Sequence, residues 1–380
     1  MRTGIVMAAR PGLEHLAARA EELGFSSFWV YDTPMVHGDP FVALALCARS
    51  TSRIRLGIGV TSPALRSAPA AAAALGSLNA LAPGRVICGV GTGNTARRTL
   101  GMRPTKTVEL ESFTAALQDL TAGRETDHRE GDRTSRVCFL HTGGHVNTED
   151  PVEFVVAAFG PKVAAVAGRL NTGMISFALH APAAWSALVQ ARRAAAQATD
   201  NADNADNADN ADNGGTAGNA GNSEKTQSYL ISSLYLLADG EDRYGDAVKD
   251  AMGHIAVSAL ILAVENPAFR AALPPEESAA VDRLLRLRGT TATDPGRHHT
   301  LYRNYLGRLS TEDRDLVVPS LVDKFGLVGT RDEIGQKIDA LEKAGVDELV
   351  IQPVADPEAE MTALARLTAP SGLPPRSSRI

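Results

Sequence analysis

The sequence predicts an α/β protein of the (β/α)₈ TIM-barrel class. Three observations carry this. Short apolar segments alternate with amphipathic segments of helical period along most of the chain. Eight such apolar segments can be counted, and seven are followed by a helical segment before the next. No GxGxxG follows the first of them, which removes the signature of the competing architecture, an open doubly wound sheet. Eight parallel strands close on themselves and leave no edge.

The elements follow in order. TGIVMA, residues 3–8, is an apolar run that reads as a buried strand. Pro11 opens a helix whose Leu13, Leu16, Ala17, Ala20 and Leu23 share one face, and Gly24 stops it. FWVY, residues 28–31, is aromatic and β-branched and predicts the second strand. Asp39-Pro40 starts a helix over 41–50, and 54–60 (IRLGIGV) is the third strand. An Ala-rich helix over 69–81 ends at Pro83-Gly84, before a fourth strand over 86–90. The alternation resumes with strands over 153–158, 172–177, 230–237 and 348–352. Helices are expected over 161–169, 182–197 and 332–344.

Three stretches break the rhythm. Residues 91–152 are too long for one connection and predict a helix over 108–121 plus a loop or hairpin. Residues 238–346 hold several helices, with helical stretches in 242–287. Residues 200–226 contain a tandem Asn-Ala-Asp repeat with no apolar face, which reads as a disordered insertion. The barrel therefore occupies 1–357 as one domain, with a short helix and tail over 358–380. Both long insertions are expected to overhang the barrel mouth.

Composition narrows the function classes. Of 380 residues 44% are hydrophobic and 22% charged, and the net charge is -6. That balance disfavours nucleic acid and anionic membranes as partners. Cys47, Cys88 and Cys138 form no CxxC pair, so neither a disulfide framework nor a metal site is expected. The N-terminus is too poor in apolar residues for a signal peptide, and no run of about 18 apolar residues is read anywhere in the chain, so a cytoplasmic protein is expected.

Barrels of this class carry their chemistry at the C-terminal ends of the strands. There the sequence places Asp32 after strand 2, Gly59-Val60-Thr61 after strand 3, and Gly89, Gly91, Thr92, Gly93 and Asn94 around the end of strand 4. Ala158, Phe159, Gly160, Pro161 and Lys162 follow the fifth strand. Glycines let backbone N–H groups approach an anion, and a helix start adds its dipole. Arg97, Arg98 and Lys106 lie just downstream and are candidates to meet an acidic ligand tail. Asp32 reads equally as a turn aspartate or a ligand contact. His298-His299 and His141/His145 lie in the two insertions without a third ligand at metal spacing, and a surface or substrate-pocket role is the better expectation.

In these segments the chain resembles the bacterial luciferase-like superfamily of barrel oxidoreductases, in particular its F420-dependent branch that includes methylenetetrahydromethanopterin reductase. The resemblance runs through AARAEELGFSSFWVYD, RIRLGIGVTSP, LNALAPGRVICGVGTGN, VVAAFGPKVAAVAGRLNTGMI and VGTRDEIGQKIDALEKAGVDELVIQPV. It implies a (deaza)isoalloxazine ring seated against a strand-3 bulge with a non-prolyl cis peptide at or beside Gly59-Val60. It implies coenzyme F420 as cofactor, with FMN as the alternative, and phosphate loops at 89–94 and 158–162. It implies hydride transfer to a C=C or C=N bond of a small-molecule or natural-product substrate, a peptide dehydroamino acid among them. An FMN-dependent monooxygenase and a binding protein that has lost its cofactor are the alternatives. A homodimer is the expected assembly. The chain departs from the pattern at Thr33, where some relatives carry histidine, at Asn94, where some carry an acid, and at Phe159, where a small residue is usual. Asp32, His37 and His299 are left as candidate proton donors.

Overall fold

The computed structural model describes residues 1–141, 143–211, 226–289, 291 and 294–368. Its strands are β1 (Arg2–Met7), β2 (Ser27–Val30), β3 (Arg55–Thr61), β4 (Val86–Val90), β5 (Thr126–Glu130), β6 (Arg133–Val137), β7 (Glu153–Ala157), β8 (Gly173–Phe177), β9 (Ser228–Leu236), β10 (Gly326–Gly329) and β11 (Glu348–Ile351). The helices that wrap the ring early in the chain are α1 (Leu13–Glu22), α2 (Pro40–Ser50), α3 (Ala68–Leu81), α4 (Asn94–Arg98), α5 (Thr107–Thr121), α6 (Pro161–Arg169) and α7 (Pro182–Ala211). After β9 come α8 (Asp246–Glu265), α9 (Pro267–Ala271), α10 (Pro275–Arg288), α11 (Arg297–Leu301), α12 (Thr311–Arg314) and α13 (Pro319–Phe325), then α14 (Arg331–Lys343) and α15 (Pro357–Thr368).

The ring closes as the sequence predicts. The parallel order is β11-β1-β2-β3-β4-β7-β8, and β9 joins the two ends by pairing with both β8 and β11. Strand β9 then runs on: Ser233–Leu236 leave the ring and pair with β10 alone. The sheet thus has nine strands, of which β10 is a flap and eight form the barrel.

Side-chain alternation sorts the strands into two faces. Ile5, Phe28, Leu56, Ile58, Cys88 and Val156 face the helices in the main core. Val6, Trp29, Ile87, Val155, Ile175, Tyr229 and Val350 fill the inside of the ring. Trp29 needs room across β3, and Gly57 supplies it, because a Cβ there would stand 2.2 Å from the indole. The N-terminal end of the ring is closed by charge. Arg55 donates to Glu153 at 2.8 Å, to Glu348 at 2.7 Å and to the Tyr229 hydroxyl at 2.8 Å. A fully satisfied network at that end reads as stability, not catalysis.

Helix starts follow their capping residues. Asp39 accepts from Phe41 and Val42, with Pro40 at the first turn of α2. Thr330 and Glu333 form a capping box on α14. Helix α7 runs to Ala211, past the expected end at 197 and into the Asn-Ala-Asp repeat. Once α7 has nucleated, each further residue adds one backbone hydrogen bond, and the alanines of the repeat are the best helix formers. The disordered reading of 200–226 is therefore corrected for 200–211. Residues 212–225 lie outside the described residues, as do 369–380 of the expected C-terminal tail.

The two insertions take different places. The β5–β6 hairpin follows α5, and the segment after it packs on the outside of α3. Asn79 donates to the carbonyls of Asn147 and Asp150, and Gly76 lies against Val146. Because Asn79 also holds Gly84 before β4, this part of the insertion sits at the N-terminal end of the ring. The expectation that it overhangs the mouth, with His141 and His145, is overturned: α5 runs antiparallel to the strands and carries the chain away. The second insertion builds a satellite with its own core of Val248, Met252, Ala256, Leu260, Leu284, Leu316 and Val322. Helix α8 is long and apolar enough to cross a membrane, contrary to the reading of the sequence, but most of it is buried in the fold and it supplies much of the satellite core.

Candidate active site at the barrel mouth

At the end of β3 the register with β4 shifts between Ile58 and Thr61, and the Gly59-Val60 peptide is cis. This is the bulge and the bond expected from the sequence. The bulge pushes the Val60 side chain toward β4, and the β4 glycines answer it. A Cβ on Gly89 would stand 2.6 Å from both the Ile58 carbonyl and the Val60 side chain, and one on Gly91 would stand 2.8 Å from Val60. Side chains at either position would displace the bulge. Gly59, Val60, Gly89 and Gly91 thus form a ledge with backbone on its upper side.

Asp32 stands beside this ledge at the end of β2. It is buried, and its Oδ2 accepts from the Thr61 hydroxyl at 2.8 Å. Arg66 approaches Oδ1 at 3.6 Å while pairing with Asp39 at 2.7 Å and lying over the Phe41 ring. Burial pushes the Asp32 carboxyl above its ordinary range, and Thr61 and Arg66 only partly oppose that. His37 lies nearby, its Nδ1 at 2.6 Å from the Thr33 hydroxyl and its ring against Tyr31. Burial lowers His37 to about 4, so it is neutral at neutral pH. His299 is not brought to this corner. It is exposed on α11, edge-on to His298, which itself lies against Gly101.

The two loops expected to hold phosphate differ in their readiness. Gly160 precedes α6, and a Cβ there would meet nothing within 4 Å. Phe159, Pro161 and Lys162 beside it are exposed and Ala158 is buried, so the first turn of a nine-residue helix opens to solvent. Around β4, Gly93 takes a left-handed φ of 73° and starts α4, which is only five residues long. Thr92 gives its carbonyl to Thr105, and Asn94 accepts from Arg98. Two of the basic candidates are committed elsewhere. Arg98 pairs with Glu265 of α8 at 2.6 Å, and Arg97 donates to the Arg103 carbonyl. Lys106 starts α5 as an exposed residue.

Several residues of the mouth were not singled out in the sequence. Gln352, just past β11, accepts from the Tyr31 hydroxyl at 2.8 Å and donates to the Leu306 carbonyl at 2.9 Å. Leu306 and Tyr305 come from the satellite. Leu306 joins the apolar cluster inside the ring, with Val60, Ala157 and Phe177 packed at its margin. Tyr305 places its hydroxyl 3.2 Å from Thr95 of α4. His180 lies three residues after β8, its Nε2 at 2.7 Å from the buried Ser232 hydroxyl and its Nδ1 at 3.2 Å from the Lys324 carbonyl. Burial holds it at about 4. Its place after a strand end was the available signal. Two buried hydroxyls at strand ends, Ser62 and Ser176, have no hydrogen-bond partner.

A parallel barrel with a backbone ledge at β3, an acid beside it and an open helix start after the next ring strands defines a class of ligand-binding α/β barrels. The sequence pattern of the luciferase-like monooxygenase family matches residues 8–348, and the chain belongs to that family. It is 36% identical over 180 residues to an F420-dependent glucose-6-phosphate dehydrogenase of Kineococcus radiotolerans, covering 43% of this chain and 52% of that protein. It is 31% identical over 173 residues to the 5,10-methylenetetrahydromethanopterin reductase of Methanolobus tindarius, covering 44% and 50%. In these alignments the chain spans about half the length of the curated relatives it matches. The coenzyme F420-dependent tetrahydromethanopterin reductase of Methanopyrus kandleri shares the fold over 96% of this chain and 97% of its own, at 18% identity and a TM-score of 0.61.

Proposed function

We propose that this chain is an F420-dependent oxidoreductase that carries its cofactor ring on the Gly59-Val60 ledge. The observation that carries the reading is the ledge itself. Glycines stand at 89 and 91 because Val60 occupies the space any side chain would need. The residues fit the group in other ways. The open start of α6, with Gly160 and Lys162, suits a phosphorylated tail. The buried Ser62 hydroxyl, beside Gly93, has no partner in the protein and is available to a polar ligand. Ring contacts then fall to Gly59, Val60 and Thr61, and tail contacts to Gly89, Gly91, Thr92, Gly93 and Asn94 together with 158–162.

The reduced deazaflavin supplies a hydride. Reducing a C=C or C=N bond also needs a proton. Among the three candidates Asp32 fits best, because burial keeps its proton to higher pH than an ordinary carboxyl. His37 is neutral and bound to Thr33, and His299 lies away from the ledge. The substrate class is a small molecule or natural-product intermediate bearing such a bond. The assembly is a homodimer, supported by the exposed apolar side chains Met35, Val42 and Leu46 on and before α2; light scattering on the purified protein tests it.

Titration of purified protein with F420 and with FMN tests the cofactor. The expected result is saturable F420 binding at least about tenfold tighter than FMN. Preferential FMN binding with flavin-dependent oxygen uptake would replace the reading with a monooxygenase. Binding of neither would leave a cofactor-free protein.

A further inference from the structure

We infer that residues 304–307 are an intramolecular competitor for the ring site, a segment that closes the barrel mouth and must leave before a ring can occupy the ledge. The inference rests on the cofactor reading above and concerns how that site opens.

The segment touches the wall of the mouth at three places. The Leu306 side chain belongs to the buried cluster inside the ring that also holds Tyr31 and Ile231, and is 8% exposed. The Leu306 carbonyl is held by Gln352, which is itself oriented by Tyr31. The Tyr305 hydroxyl meets Thr95, in the first turn after the β4 glycines. Val60, the top of the ledge, packs at the margin of the same cluster. Leu306 and Val60 thus share one apolar cluster, and on this inference a ring on the ledge takes the place of Leu306.

The backbone shows what holding that position requires. Asn304 and Leu306 have φ of 58° and 56°. Asparagine tolerates the left-handed region, but a leucine there sets its Cβ against the following carbonyl. A connection with no task in the mouth would relax or carry glycine. Behind the segment lies a small polar-lined void. A cavity of about 10 Å³ is lined by His254, Arg288, Asp313 and the segment itself. Arg288 pairs with Asp313 at 2.8 Å, yet Arg288 Nε and His254 Nδ1 make no hydrogen bond. On either side the chain is anchored in the satellite, by the buried Leu301 and by Leu309 against Gly253. These anchors flank a short span whose Tyr305 also packs on the satellite core beside Tyr302, and that contact is given up when the span leaves the mouth.

The test uses the full chain in a Cys138→Ser background, since Cys47 and Cys88 are buried and Cys138 is exposed. Leu306→Cys introduces a thiol in the mouth, and its reaction with a soluble disulfide reagent is followed with and without F420. The expected result is slow labelling without F420, and labelling accelerated about tenfold or more at saturating F420, because the ring holds the segment out. F420 affinity is measured in parallel on Leu306→Gly and Tyr305→Phe. Both should bind about tenfold more tightly than wild type, since each weakens the competitor. Tyr305→Phe keeps the aromatic packing and serves if Leu306→Gly does not fold. Protection of the introduced thiol by F420, or equal affinities in wild type and both affinity variants, overturns the inference while the ring site stands. Absence of saturable binding of F420 or FMN to any of them overturns the cofactor reading and the competition with it.

Discussion

Asp32 is a buried carboxyl beside the ledge. Its carboxyl ionises at higher pH in the folded chain than in the unfolded one, chiefly through desolvation. The native state therefore holds a proton in the window above the ordinary value of 3.8, and stability falls as pH rises through that window and is flat above it. Asp32→Asn mimics the protonated form. It is expected to raise the melting temperature relative to wild type at pH 7, and the difference should close as pH falls toward 3.8; a constant difference would remove desolvation as the cause. In the same variant the chemical step should slow by about 10²–10⁴ if Asp32 is the proton donor, with F420 affinity little changed. The glycines make a second contrast. Gly89→Ala forces a methyl to within 2.6 Å of the Ile58 carbonyl and should cost about 1–3 kcal/mol in chemical denaturation. Gly160→Ala meets nothing and should stay within about 0.5 kcal/mol, so any loss of cofactor affinity there reports on the loop's function.

At the scale of elements, the β5–β6 hairpin is a decoration. Its residues are mostly exposed and it pairs only with itself. Thr126 and Val137 are register partners, so an Asn-Gly turn in place of residues 127–136 closes the same gap. That excision is expected to change unfolding free energy by less than about 1 kcal/mol and to leave F420 binding intact. The hairpin also shows where sequence reading stops. The eight ring strands were legible because each is an apolar run of four to nine residues between turn signals; the structure keeps 86–90 as expected and moves no strand end by more than two residues. Gly326–Gly329 was missed because four residues with glycine at both ends show no period, and its pairing with the far half of β9 is purely tertiary. The ledge was legible through Gly59-Val60 and the alternate glycines of β4. Its cover was not: Tyr305 and Leu306 sit in a connection, and nothing in local periodicity says that a connection turns inward.

At the scale of the molecule, the chain has a barrel core and a separate satellite core, joined through β9, β10 and the segment over the mouth. Separate cores open separately when few apolar contacts bridge them. Leu260 of α8 lies deep in the satellite and is 1% exposed. Leu260→Ala should cost about 2–5 kcal/mol through the lost methyls and the cavity left behind. That loss should fall on the satellite, because Leu260 belongs to the satellite core with Leu284, Leu316 and Val322. Hydrogen exchange should therefore accelerate across α8, α10 and α13 while β1–β4 keep wild-type protection. The satellite anchors Leu301 and Leu309 hold the segment in the mouth, so loosening them should also raise F420 affinity even as overall stability falls. A variant destabilised throughout, with exchange rising equally in β1–β4, would mean that the two cores unfold as one unit and that the mouth cannot open without the barrel.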